Sequence, residues 1–145
     1  MAAFSHRWLQ RASPQRSGLS INVSTNQCLW LDAGEPLPFE DGAFDAVYTE
    51  HMFEHMLPVA GATFLREAYR VVRPGGSVVV VDFVAHQHEW MRDELGVTWL
   101  GFRDEEVRGW FDHAHLEHFL REDFEGLTAG RDLPATFIAS ARKPA

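Results

Sequence analysis

Residues 44–83 read FDAVYTEHMFEHMLPVAGATFLREAYRVVRPGGSVVVVDF, and this stretch decides the fold. Phe44 to Thr49 is short and apolar and follows the Asp41-Gly42 turn signal, which suits a buried strand. Between Thr63 and Val72 the apolar residues are Phe64, Leu65, Ala68, Tyr69, Val71 and Val72. That spacing of three and four predicts a helix with one apolar face, leaving Arg66, Glu67 and Arg70 toward water. Pro74-Gly75-Gly76 should stop the helix and turn the chain. Ser77 to Val81 then runs apolar without alternation, as a strand covered on both faces does. Strand, helix, turn and strand form a βαβ unit, so the two strands should be parallel neighbours with a right-handed crossover.

Composition narrows the class. The chain has 145 residues, 46% of them apolar and 23% charged, which suits one globular domain with its own core. No apolar run approaches the roughly 18 residues of a spanning helix, so no membrane partner is expected. The formal net charge of −8 argues against a nucleic-acid partner, because neutralising phosphates needs a basic surface. It leaves room for a neutral or cationic small-molecule substrate. The single cysteine, Cys28, allows no internal disulfide, which points to the cytoplasm.

Residues 1–18 carry Arg7, Arg11 and Arg16 and no acid, and are expected to be a poorly ordered N-terminal arm preceding a domain at 19–145. Leu19–Val23 and Cys28–Leu31 are short strand candidates. Beyond Phe83, a helix is expected over His86–Leu95, and another capped by Asp104 with Glu105 and Glu106 in its first turn. Leu116–Phe124 and Ala135–Ala141 read as two closing strands.

Phe44-Asp45, Arg70-Val71-Val72-Arg73-Pro74-Gly75-Gly76 and the valine strand together resemble the class I S-adenosylmethionine-dependent methyltransferases. Asp32-Ala33, Leu37-Pro38-Phe39 and the Asp41-Gly42 turn match that family's approach to its fourth strand. His88-Glu89-Trp90, Gly96, Trp99-Leu100-Gly101-Phe102 and Ala141-Arg142-Lys143-Pro144 are similar to the methyltransferase part of bacterial regulator–methyltransferase fusions. The resemblance implies an α/β, Rossmann-like sheet with a parallel core and a C-terminal antiparallel hairpin. It implies S-adenosylmethionine as cofactor and methyl transfer to a small molecule. By resemblance, Asp32 and Ala33 would contact the adenine, Thr49 and Glu50 would lie near the transferred methyl, and His51 would be the catalytic base. The ordinary alternatives are an Asp32 that opens the Gly34 turn and histidines that open a short helix.

Two departures from the family are expected to matter. No G-x-G occurs, and 18 residues before Leu19 are too few for a strand, loop and crossover helix, so the family's first βα unit should be missing and the sheet incomplete. After the family's second strand, where a carboxylate would hold the ribose, stand Ser24 and Asn26. These losses predict weak cofactor binding by the chain alone. They also support an alternative reading, an inactive methyltransferase-like binding or dimerisation module. An unpaired strand at Leu19 or Cys28 would then offer a sheet edge for a homodimer.

His51-Met52-Phe53-Glu54-His55 also spells H-x-x-E-H, a zinc-peptidase pattern. That reading needs a continuous helix and a third ligand, whereas the motif follows a strand directly and precedes Pro58, so no metal site is expected. His113, His115 and His118 straddle a helix end and a strand start, which does not suit a built site either. Trp90, Trp99, Trp110 and Phe111 could line a substrate pocket, although core filling is the more ordinary use.

Overall fold

The computed structural model describes residues 2–5, 18–23, 27–32, 35–125 and 132–145. Its centre is the βαβ unit. Strand β4 (Phe44–Glu50) leads through a short 3-10 turn (Phe53–His55) into helix α1 (Pro58–Val71), and strand β5 (Val72–Phe83) returns parallel to β4. Numbered in chain order, the other strands are β1 (Ala2–Ser5), β2 (Gly18–Val23), β3 (Gln27–Asp32), β6 (Glu117–Phe124) and β7 (Thr136–Arg142). Helices α2 (Trp90–Leu95) and α3 (Asp104–His113) lie between β5 and β6. The seven strands form one sheet in the order β3-β2-β1-β4-β5-β7-β6. The parallel core and the antiparallel β6–β7 hairpin are as expected. No described helix is long and apolar enough to cross a membrane.

Helix α1 begins five residues before the apolar periodicity. Pro58 occupies its first turn, where its fixed φ suits a helix and its missing N–H is no loss. Phe64, Leu65, Ala68 and Val71 are buried together with Val47, Val78 and Val80 of the sheet, and Phe111 and Phe137 extend that core. Phe64 meets the edge of the Phe53 ring at 6.0 Å.

Glu67 and Arg70 do not simply face water. Arg70 binds the Glu67 carboxylate at 2.7 Å and donates to the Leu37 and Phe39 carbonyls at 2.9 and 2.7 Å. Glu67 also accepts from the Leu37 N–H at 2.8 Å. The pair therefore clamps the connection into β4. Arg70 supplies five donors in a fixed fork, which is why it can serve two carbonyls and a carboxylate together.

Pro74-Gly75-Gly76 does not end one element before another begins. Residues 73–76 bulge out of β5, so Phe44 pairs with Val72 while Ala46 pairs with Ser77. Gly75 takes φ +72°, and a Cβ on Gly76 would sit 2.7 Å from the Asp45 carbonyl. Lys143 closes this corner by donating to the Tyr69 and Val72 carbonyls at the end of α1. Two helix starts also differ from expectation: α2 begins at Trp90, and α3 has Arg103 rather than Asp104 as N-cap, with Glu106 accepting from the Arg103 N–H.

The amino-terminal half of the sheet corrects a larger expectation. Ala2–Ser5, within the stretch expected as an arm, pairs parallel with β4 and antiparallel with β2. The strand at Leu19–Val23 is therefore paired on both sides and runs against the core. It is not the parallel second strand of the expected family order. Three residues separate β2 from β3, and only a hairpin closes over so short a link, since a parallel crossover needs a dozen or more residues. Ser24 and Asn26 lie outside the described residues. Among the described strands, β3, which carries Cys28, stands at one edge of the sheet.

Candidate functional site

Strand direction brings the candidate residues to one edge. β1, β3, β4 and β5 all run the same way, and the registers pair Ser5 with Glu50, Glu50 with Val81 and Gly18 with Asp32. Asp32, Ser5, Glu50 and Asp82 thus stand near the carboxyl ends of their strands. In open sheets of this kind that edge is where ligands bind. Asp32 and Glu50 are three strand spacings apart, roughly 14 Å. Ala33 lies outside the described residues.

At the end of β4 the chain turns sharply. Thr49 is fully buried, and its Oγ1 has no hydrogen-bond partner. Glu50 is exposed. His51 takes φ +48°, outside any helix, and its N–H donates to the Val81 carbonyl at 2.9 Å. This left-handed residue turns the chain from the strand into the 3-10 turn. The H-x-x-E-H motif is therefore not on a continuous helix, as a zinc peptidase would require.

Glu54 is the centre of the site. It is 4% exposed, its N–H donates to Asp82 Oδ2 at 3.2 Å, and its carbonyl accepts from Thr98 and Trp99 at 2.7 and 3.0 Å. His55 Nε2 lies 3.3 Å from Glu54 Oε1, and His51 Nδ1 lies 3.9 Å from the same oxygen, beyond hydrogen-bond reach. Asp82, at 0% exposure, accepts from the Phe83 N–H at 2.8 Å.

Two buried carboxyls side by side cannot both ionise cheaply. Burial pushes Glu54 up to about 8 despite its bond with Asp82. Burial, and then the Glu54 charge, raise Asp82 well above the carboxylate range. Burial holds His51 and His55 below the ordinary imidazole range, which leaves both neutral near pH 7.

An aromatic run continues along the edge. The His51 ring lies 4.4 Å from Phe83, Phe83 lies 5.8 Å from His86, and His86 lies 5.2 Å from His88. His86 Nε2 is buried without a hydrogen-bond partner. The loop that brings these residues together is held at Gly101, whose φ is +73° and whose missing side chain lets the backbone pass against the Phe83 and Val84 carbonyls.

A separate apolar cavity of about 680 Å³ lies between the start of α1, the Trp99–Phe102 loop and α3. Trp99 and Trp110 line it, Trp110 stacks on Phe53 at 5.1 Å, and Phe111 is buried in the core. None of His51, Glu54 and Asp82 reaches it, so the cavity is apart from the polar edge.

Sequence reasoning had pointed to Thr49, Glu50 and His51, and to Asp82 as a strand end. It missed the pairing of Glu54 with Asp82. The one available signal was that two acids follow two apolar strands expected to be neighbours.

A profile of the family described as methyltransferase domain matches residues 4–80. The uncharacterized protein YafE of Escherichia coli (strain K12) is 33% identical over 98 residues, which cover 68% of this chain and 40% of that protein. The uncharacterized methyltransferase sll0829 of Synechocystis is 32% identical over 72 residues, covering 49% of this chain and 34% of that protein. The chain spans less than half the length of either relative. Among solved structures, phosphoethanolamine N-methyltransferase 2 of Haemonchus contortus, in complex with phosphomonomethylethanolamine and S-adenosylhomocysteine, matches with a TM-score of 0.62. The match is 13% identical and covers 79% of this chain and 37% of that one, which is a likeness of fold.

Proposed function

The chain belongs to the methyltransferase domain family, and from that premise we propose that it serves methyl transfer from S-adenosylmethionine to a small-molecule acceptor. The observation that carries this reading is the edge where β4 and β5 end, with a neutral imidazole and unpartnered buried polar atoms. When bound, the cofactor supplies an electrophilic methyl on a sulfonium. Asp32, at the end of β3, would accept from the adenine amino group, with Ala33 beside the ring. Thr49 and Glu50 would face the methyl end, where the Thr49 hydroxyl still has hydrogen bonds to make. His51, held neutral by burial, would take the proton that an oxygen or nitrogen acceptor loses as it gains the methyl. Holding both reactants on one rigid edge would supply most of the acceleration.

Titration calorimetry with S-adenosylmethionine tests the reading. Binding that weakens on Asp32→Ala supports it, even at millimolar affinity. Absence of binding, with Asp32→Ala changing only stability, supports the inactive binding module instead. For His51, the expected result on His51→Gln is a loss of transfer rate with cofactor affinity kept. The same reading places the protein in the cytoplasm. It also gives the β3 edge, whose sequence QCLWLD is largely apolar, to a second copy of the chain. Sedimentation that shows only monomer at high concentration would remove that part.

A further inference from the structure

We propose that His51, Glu54 and Asp82 form a binding site for one divalent transition cation of the zinc(II) or manganese(II) type. One ligand atom from each residue lies within 4.8 Å of the other two. With bonds of about 2.1 Å in tetrahedral geometry two donors stand about 3.4 Å apart, so binding would draw the most widely spaced of these atoms together by up to about 1.4 Å.

The donors are ready for such an ion. Glu54 Oε2 and His51 Nδ1 are buried and have no hydrogen-bond partner. Glu54 and Asp82 are 4% and 0% exposed, and the ion pairs found at Glu54 among the described residues are with His51 and His55 alone. Buried carboxyls either keep a proton or are paired with a cation or metal, because desolvating the bare charge costs a great deal. A divalent ion would displace the protons from both carboxyls and give this buried polar cluster a common partner.

The frame is already built. The His51 N–H is fixed to Val81, the Glu54 N–H to Asp82, and the Glu54 carbonyl to Thr98 and Trp99. His55 Nε2 lies 3.3 Å from Glu54 Oε1, the oxygen that His51 also approaches. Polar groups that orient the ligands belong to well-made metal sites.

One imidazole and two carboxylates make a nitrogen and oxygen set. It suits zinc and manganese better than copper(I), which prefers sulfur, and the imidazole counts against magnesium and calcium. The proposal does not depend on methyl transfer. If His51 is also the base proposed above, ligation through Nδ1 leaves the proton on Nε2, and zinc would then slow that reaction.

The test is calorimetric titration of zinc chloride and manganese chloride into the full chain after removal of metal with a chelator. One equivalent of either ion should bind with micromolar affinity or tighter and raise the melting temperature. Glu54→Gln and Asp82→Asn should each weaken binding by more than the roughly 10–100-fold that loss of an outer-shell partner costs, while His113→Gln/His115→Gln leaves it unchanged. Circular dichroism would show whether the two buried substitutions fold. His51→Gln, at a partly exposed position, gives the same readout at less risk to the fold. Absence of binding would overturn the site. So would an affinity left unchanged by Glu54→Gln or His51→Gln, or binding that disappears with the His113 and His115 pair.

Discussion

The two halves of the sheet reach the same edge by opposite means. From β4 to β5 the chain makes a crossover through a 14-residue helix, and both strands deliver their carboxyl ends to the site. From β2 to β3 it has only three residues, so β2 runs backwards and its carboxyl end falls at the far edge. Only β3, reversed a second time, returns Asp32 to the side where Glu50 and Asp82 stand. Connection length, more than strand sequence, therefore decides which strand ends can contribute to the site.

The carboxyl-end machinery of β4 and β5 should be where substitutions matter most, and Gly101→Ala should have the largest effect. A Cβ there would press into the Val84 carbonyl and come within 2.8 Å of the Phe83 carbonyl, on a residue at φ +73°. Left-handed strain and the backbone clash together should cost about 3 kcal/mol or more, measured by urea unfolding. A change below about 0.5 kcal/mol would show that this loop does not hold the end of β5.

Next in size is a pH effect, in chelator-treated protein. Glu54 is raised from an ordinary 4.5 to about 8, and Asp82 is raised as well, so the folded chain binds protons more tightly than the unfolded chain. The sign follows from that: stability should fall as pH rises from about 4.5 through 8, by a few kcal/mol. Glu54→Gln should reduce the slope, leaving the part that comes from the burial of Asp82. A stability that rises with pH over that window would contradict the shared burial of the two carboxyls.

A smaller effect is expected at the entry to β4. Arg70→Ala should cost about 1–2 kcal/mol, because the Leu37 and Phe39 carbonyls and the Glu67 carboxylate lose a common, partly exposed donor. Hydrogen exchange should show the Leu37 and Gly42 amides opening in this variant while β5 stays protected.

The smallest test leaves stability alone. At concentrations where sedimentation shows monomer, β3 amides should exchange faster than those of β4 and β5, since β3 has a neighbour on one side only among the described strands. Equal protection would mean that the β3 edge is covered, as it would be in a dimer.

Much of this was legible in residues 44–83. Continuous apolar runs around an amphipathic stretch identify a parallel βαβ unit, because strands buried on both faces and a helix buried on one leave different periods. The two closing strands were readable as segments, and their antiparallel pairing was what the family resemblance, carried by motifs, implied. The antiparallel β2–β3 pair was also within reach, since the three-residue link excludes a crossover, but the family pattern pointed the other way.

Other features were not local. Arg70 and Glu67 look solvent-facing by period, and only the fold brings residues 37–41 against them. Glu54 and Asp82 are 28 positions apart, and nothing in either segment announces the other. The sequence by itself determined that β4 and β5 would be neighbouring buried strands, because the pattern of burial is written in residue types. Only the tertiary structure decided that the acids beyond them would meet in a dry space. That depends on the parallel register, the left-handed turn at His51 and the passage of the chain at Gly101, which position atoms rather than select residue types.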